Sequence, residues 1–264
     1  MTARGAWLTM KVFGGRPVSQ YGVFSDDFYV NMNLATELDL PPSRESVLHF
    51  FEQMRRRYPD LRNFYAREKD EYVLEEDKDS GDYRWCSIEP KRVNSGVVNP
   101  KTLEDAVEQH AAVLASVPYD LSITPLDCES LSVTMGFDFA YRGNHNEALA
   151  RAIGVPTGLE KFAAADHAKM LAYEPTVHIS LDSDCRTQCR ISFESRTGAY
   201  QVRTGEFPEE QLSVYLTVRR YDSLEVDMSY ADEMRRLAAL ASDMVDQYLV
   251  SEVLRPLQEV IAIG

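Results

Sequence analysis

The sequence predicts an α+β protein with a mainly antiparallel sheet, helices packed on one face of it, and a long C-terminal helix. Three observations carry that expectation. The segments Phe28–Ala35 and Leu131–Tyr141 alternate apolar and polar residues with a period of two, as half-buried strands do. Helical segments between them carry apolar stripes at three- and four-residue spacing. The order strand, helix, strands, helix then occurs twice, at an offset of about 100 residues that is too long for a solenoid repeat.

In chain order, a short strand is expected over Leu8–Phe13, closed by the turn Gly14-Gly15-Arg16-Pro17. After the Phe28–Ala35 strand, Ser43 is placed to cap a helix reaching about Tyr58. Its stripe is Val47, Phe50, Phe51 and Met54, and Arg55–Arg57 sits at the negative end of its dipole. Strands are expected at Asn63–Arg67, Glu71–Leu74 and across Tyr83–Val98. Thr102 and Asp105 form a capping pair for the next helix, which Pro118 is expected to end.

The second half opens with Leu131–Tyr141. Short helices follow at His145–Ile153 and Leu159–Ala165, then strands near Ala172–Leu181, Gln188–Arg196 and Leu212–Tyr221. Ser229 and Asp232 cap the last helix, whose stripe is Met234, Leu237, Ala241, Met244 and Tyr248, with Pro256 as a kink or stop. Two halves, 1–125 and 126–264, are expected to make one compact unit related by duplication. A short echo links them: Ser87-Ile88-Glu89-Pro90-Lys91-Arg92 resembles Ser192-Phe193-Glu194-Ser195-Arg196 in type.

Apolar residues make up 44% of the 264 and charged residues 27%, enough to build a core without metals or disulfides. The net charge of −14, from 42 acidic and 28 basic residues, repels phosphate backbones and anionic lipid, so neither nucleic acid nor membrane is an expected partner. Arginine dominates the basic residues, and no lysine follows Lys169. The start, Met1–Met10, lacks the pattern of a secretory signal, and the expected location is the cytoplasm. Cys86, Cys128, Cys185 and Cys189 include no Cys-x-x-Cys pair; free thiols are expected, with neither a disulfide framework nor a metal site. No phosphate-binding glycine loop, nucleophile elbow or His-Glu-x-x-His is present, so no cofactor is expected and no enzyme class is marked.

Two groups of residues could carry chemistry. In FDFAYRGNHNE (Phe137–Glu147), Asp138, His145 and Glu147 are candidates for acid–base catalysis or metal binding. A plainer reading makes Asn144 a helix cap, Glu147 its capping partner and His145 a surface residue. The second group lies on the polar face of the later strands, where His178, Ser180 and Asp182, then Arg190, Ser192, Glu194 and Arg196, then Tyr215, Thr217 and Arg219 alternate with apolar residues. If these strands pair, His178, Arg190, Glu194, Arg196, Thr217 and Arg219 form a ligand-binding face suited to a small anionic or peptide ligand. The plain alternative is a solvated face laced with cross-strand ion pairs.

The segments FDFAYRGNHNE, DCRTQCR, CRTQCRISFESRTGAYQVRTGEF and PEEQLSVYLTVRRY resemble a group of conserved bacterial proteins of planctomycete type. That resemblance implies a bacterial cytoplasmic protein and lends no activity or site residue. The expectation for function is a non-catalytic binding protein using the Arg-rich face. The alternative is an enzyme acting on a small anionic metabolite, metal-dependent or not, and a third expectation is a homodimer formed through the C-terminal helix.

Overall fold

The computed structural model describes residues 20–40, 44–68, 70–225 and 227–263. The strand expected at Leu8–Phe13, the turn after it and the Ser43 cap lie outside those residues. In chain order the elements are β1 (Asp27–Thr36), α1 (Arg44–Arg57), β2 (Asn63–Glu68), β3 (Glu71–Glu75), β4 (Tyr83–Glu89), β5 (Arg92–Val98) and α2 (Leu103–Asp120). The second half runs β6 (Cys128–Tyr141), α3 (His145–Ile153), α4 (Glu160–Ala163), β7 (Thr176–Ser180), β8 (Thr187–Glu194), α5 (Ala199–Thr204) and β9 (Glu210–Tyr221). It ends in α6 (Tyr230–Met244), a π-wound segment (Val245–Leu254) and α7 (Arg255–Ile263).

All nine strands join one antiparallel sheet in the order β2-β3-β4-β5-β1-β6-β9-β8-β7. The first described strand of each half lies at the centre, where β1 pairs with β6 from Asp27–Asp138 to Leu34–Leu131 without a register shift. From that pair the chain of each half crosses by helices to the sheet edge and returns inward through a meander that ends beside its own starting strand, so the strands occupy matching places on either side. The echo falls on such a pair, because β4 and β8 are both the second strand out from the central two. The capping pairs match as well: the Thr102 hydroxyl accepts from the Asp105 N–H and the Ser229 hydroxyl from the Asp232 N–H, each at 3.1 Å.

The period of two decides the faces. Phe28, Val30, Met32 and Leu34 on β1, Leu131, Val133, Met135 and Phe137 on β6, and Leu212, Val214, Leu216 and Val218 on β9 are all buried in one core. Against this face pack Val107, Ala111 and Leu114 of α2 and Met234, Leu237 and Ala241 of α6, while Phe50, Phe51 and Met54 of α1 cover its outer part. Removal of this much apolar area from water, at roughly 25 cal/mol per Å², is the main favourable term in folding.

Three expectations change. Pro118 does not end α2, which runs on to Asp120; a missing N–H this close to the end removes one ladder bond and leaves only two residues beyond it. The helix expected over Leu159–Ala165 narrows to Glu160–Ala163, and the strand near Ala172–Leu181 begins only at Thr176. In the last helix the stripe changes phase. Met234, Leu237 and Ala241 are buried, but hydrogen bonds to the fifth rather than the fourth residue widen the turns after Met244. Val245 and Leu249 turn inward in consequence, and Tyr248 is left 52% exposed. Of the apolar stripe expected along this helix, Met234, Leu237 and Ala241 therefore belong to the core. The wide turns lead directly into Pro256, the second residue of α7.

Polar groups are inlaid beneath the helices. Ser95, Gln109 and His110 are buried together, with the Gln109 Nε2 amide donating to the Ser95 hydroxyl at 2.9 Å and His110 Nδ1 lying 3.0 Å from that hydroxyl. Further along, buried Glu233 accepts from Arg236 at 2.6 and 2.8 Å and faces buried Arg220 at 3.7 Å, while Arg236 donates to Thr187 at 3.1 Å. This group fastens α6 to β9 and β8.

Burial pushes His110 down to about 3. The unfolded chain gains a proton below the ordinary histidine value that the folded chain refuses, so stability is full above that value and is lost as the pH falls. We predict that His110→Gln flattens the loss of urea-unfolding free energy between pH 7 and pH 5 by about 2 kcal/mol. Equal slopes in the two proteins would rule out a buried neutral imidazole.

Candidate functional site

On the polar face, register brings the predicted residues of the later strands side by side. His178 on β7 stands opposite Arg190 on β8, and Arg190 opposite Thr217 on β9. Thr217 stands opposite Thr134 on β6, and their hydroxyls are 2.8 Å apart. These side chains, with Arg219, Gln188, Ser192, Tyr215, Glu194 and Glu174, line a cleft of about 460 Å³, within the range of small-ligand sites.

The charges in the cleft are unequally compensated. Glu194 is satisfied: Tyr215 Oη donates to its Oε2 at 2.7 Å, and Arg196 pairs with its other oxygen. These two partners, the tyrosine hydroxyl first, hold the Glu194 carboxyl below the usual range. Arg190 is exposed and Arg219 half-buried, and neither has a carboxylate within ion-pair distance among the described residues. Arg219 rests its guanidinium 5.6 Å from the centre of the Tyr221 ring and donates to its hydroxyl at 3.3 Å, and its buried Nε has no partner among the described residues. Two uncompensated cations thus share one small cleft in a protein of net charge −14.

Arg196 and Asp182 depart from the predicted alternation. β8 ends at Glu194, so Arg196 lies beyond the strand; it reaches the face only through its ion pair with Glu194 and does not line the cleft. Asp182 is in the β7–β8 turn, where its carboxylate accepts from the N–H groups of Arg186 and Thr187 at 2.9 and 2.7 Å. Glu174 was not singled out by the sequence, although it lies inside the strand expected near Ala172–Leu181 with the parity of His178; the strand itself begins only at Thr176.

Asp138, His145 and Glu147 are not brought together; no hydrogen bond or ion pair joins them among the described residues. Asp138 is buried on the polar face, where Tyr29 Oη donates to it at 3.4 Å; desolvation raises its pKa. The Tyr29 ring can lie there because residue 136 is glycine, whose Cβ, if present, would fall 2.2 Å from that ring. His145 is not a surface residue. Its ring is buried beside Tyr141, with Nε2 3.2 Å from the Tyr141 carbonyl and Nδ1 accepting from the Arg196 N–H at 3.2 Å. Both ring nitrogens are therefore engaged in holding the α3 entry to the chain after β8, and burial lowers the pKa. Glu147 donates its backbone N–H to the Asn144 side chain at 3.4 Å, as the capping reading requires.

No group of three or more His, Cys, Asp or Glu side chains suited to a metal ion occurs among the described residues. Cys86, Cys128 and Cys189 are buried thiols and Cys185 is an exposed one. No helix among the described residues is long and apolar enough to cross a membrane.

The two halves differ at this place. Aligning Ser87 of β4 with Ser192 of β8 sets Trp85 against Arg190 and Gly96 against Thr217, as the strand registers require. In the first half the Trp85 ring lies on Gly96, where a Cβ would be 2.1 Å from the indole nitrogen. The matching place in the second half is the cleft. Comparison with known proteins gives no parallel: no family model, curated protein or solved structure matches the chain.

Since the Tyr215 hydroxyl is the foremost cause of the depressed Glu194 value, Tyr215→Phe should raise the pKa of Glu194, read by carboxyl-carbon NMR titration. An unmoved titration would show that Arg196 alone sets it.

Proposed function

We propose that the protein is a ligand-binding protein whose cleft takes the anionic group of a small ligand on Arg190 and Arg219, with His178 and Thr217 beside them. The observation that carries this reading is the pair of cations left without carboxylate partners in a cleft, against a strongly acidic background. Exposed arginines on antiparallel sheets ordinarily face a cross-strand Glu or Asp. Here their cross-strand neighbours are His178, Thr217, Gln188 and Ser132, none of which supplies a negative charge. A planar guanidinium offers paired donors to carboxylate or phosphate, and a bound oxyanion would complete both. The net charge of the whole chain works against loose attraction of anions, so selectivity must come from these few contacts.

Inorganic phosphate titrated into the protein at low salt, followed by amide NMR, should shift resonances of β7, β8 and β9. Arg190→Glu and Arg219→Glu should each weaken binding tenfold or more, corresponding to roughly 1.5–3 kcal/mol for a charge-assisted contact. Arg203→Glu, a reversal outside the cleft, should leave the affinity unchanged. Unaltered affinity in both cleft variants would end this reading.

A further inference from the structure

We infer that the ligand is dipolar: a short peptide of about three residues with a free carboxylate and a free amine. This rests on the anion-binding reading above and adds the opposite end of the cleft to it. The charges are sorted along the strands. Arg219 stands opposite Gln188, and Arg190 opposite His178; two residues further along β8, Ser192 faces Thr176 and Tyr215, and two further still is Glu194. At that end Glu174 also enters the cleft, with the Ser195 N–H donating to its Oε1 at 2.6 Å.

Glu194 is neutralised by Arg196, but Glu174 is exposed and has no cation within ion-pair distance among the described residues. One end of the cleft therefore presents uncompensated positive charge and the other an uncompensated carboxylate. Four residues of strand separate Arg190 from Glu194, or about 13 Å at the ordinary rise. That span matches about three extended residues at roughly 3.4 Å each, with a charged terminus at either end. Between the ends lie Ser192, Thr176 and Tyr215, whose hydroxyls suit peptide N–H and C=O groups. A simple anion would be bound by the arginines alone and would gain nothing from Glu174; a ligand with an ammonium group uses both.

The test is calorimetry with trialanine, N-acetyl-trialanine and trialanine amide on the wild-type protein and on Glu174→Gln and Arg190→Gln, with circular dichroism to confirm that each variant is folded. Trialanine should bind, and capping either terminus should cost at least tenfold in affinity. Glu174→Gln keeps an acceptor for the Ser195 N–H and should make trialanine and its acetylated form bind alike; Arg190→Gln, with Arg219 still present, should shrink the difference between trialanine and its amide. Equal binding of trialanine and N-acetyl-trialanine to the wild type, or binding of phosphate without trialanine, would overturn the dipolar inference and leave the anion reading standing. Binding of neither phosphate nor trialanine would remove both.

Discussion

The pairing of β1 with β6 is the constraint on which the rest of the molecule depends. Nine residues of β1, Asp27 to Ala35, meet Asp138 to Ser130 one for one, and a slip of a single residue would turn Phe28, Val30, Met32 and Leu34 away from the core. Because β5 is registered on β1 and β9 on β6, that slip would propagate to both meanders. The same parity that buries Leu131 and Val133 sends Thr134 to the polar face, and through β9 it sends Thr217 and then Arg190 there too. Core and cleft are thus two consequences of one alternation.

The helices answer to that sheet. α2 and α6 lie over the two central strands with matching capping pairs at their starts, and each carries a polar inlay against its strands: buried His110 and Gln109 onto Ser95, and buried Glu233, with the exposed Arg236, onto Arg220 and Thr187. Such groups are costly to bury unless partnered, and removing one member leaves the others desolvated. They serve to fix where each helix sits, since apolar packing alone tolerates sliding. The site inherits this rigidity, because β8 and β9, which carry Arg190 and Arg219, are the strands that the Glu233 group clamps.

Much of this was legible in the residues. The alternation in Leu131–Tyr141 and in the strands after it gave the faces, and the Thr102–Asp105 and Ser229–Asp232 pairs gave the helix starts. What escaped depends on contacts between distant residues or on unusual winding. His145 reads as a surface residue after an Asn cap until the Arg196 N–H, 51 residues away, arrives at its ring. Tyr248 belongs to the apolar stripe only if the helix keeps its ordinary pitch, and π winding removes it. Arg196 continues an alternation that the strand itself abandons at Glu194. Glu174 shares the parity of His178 within the expected strand, but it was passed over, and it enters the cleft from just ahead of β7.

The comparison of the halves gives the cleft its clearest physical meaning. Were a polar sheet face merely the solvated side of a two-layer protein, equivalent positions in the two halves would be expected to look alike. Instead Trp85 and Gly96 fit each other so closely that the glycine has no room for a Cβ, while Arg190 and Thr217 leave open space between two unpaired cations and an unpaired carboxylate. Filling a face with an indole removes apolar area from water and needs no partner. Leaving it open, with guanidinium groups that nothing in the described chain neutralises, forgoes that gain and adds repulsion between Arg190 and Arg219. A second molecule with complementary charge would recover both losses, and on the proposed reading it is the emptier half, and not the better-packed one, that would bind it.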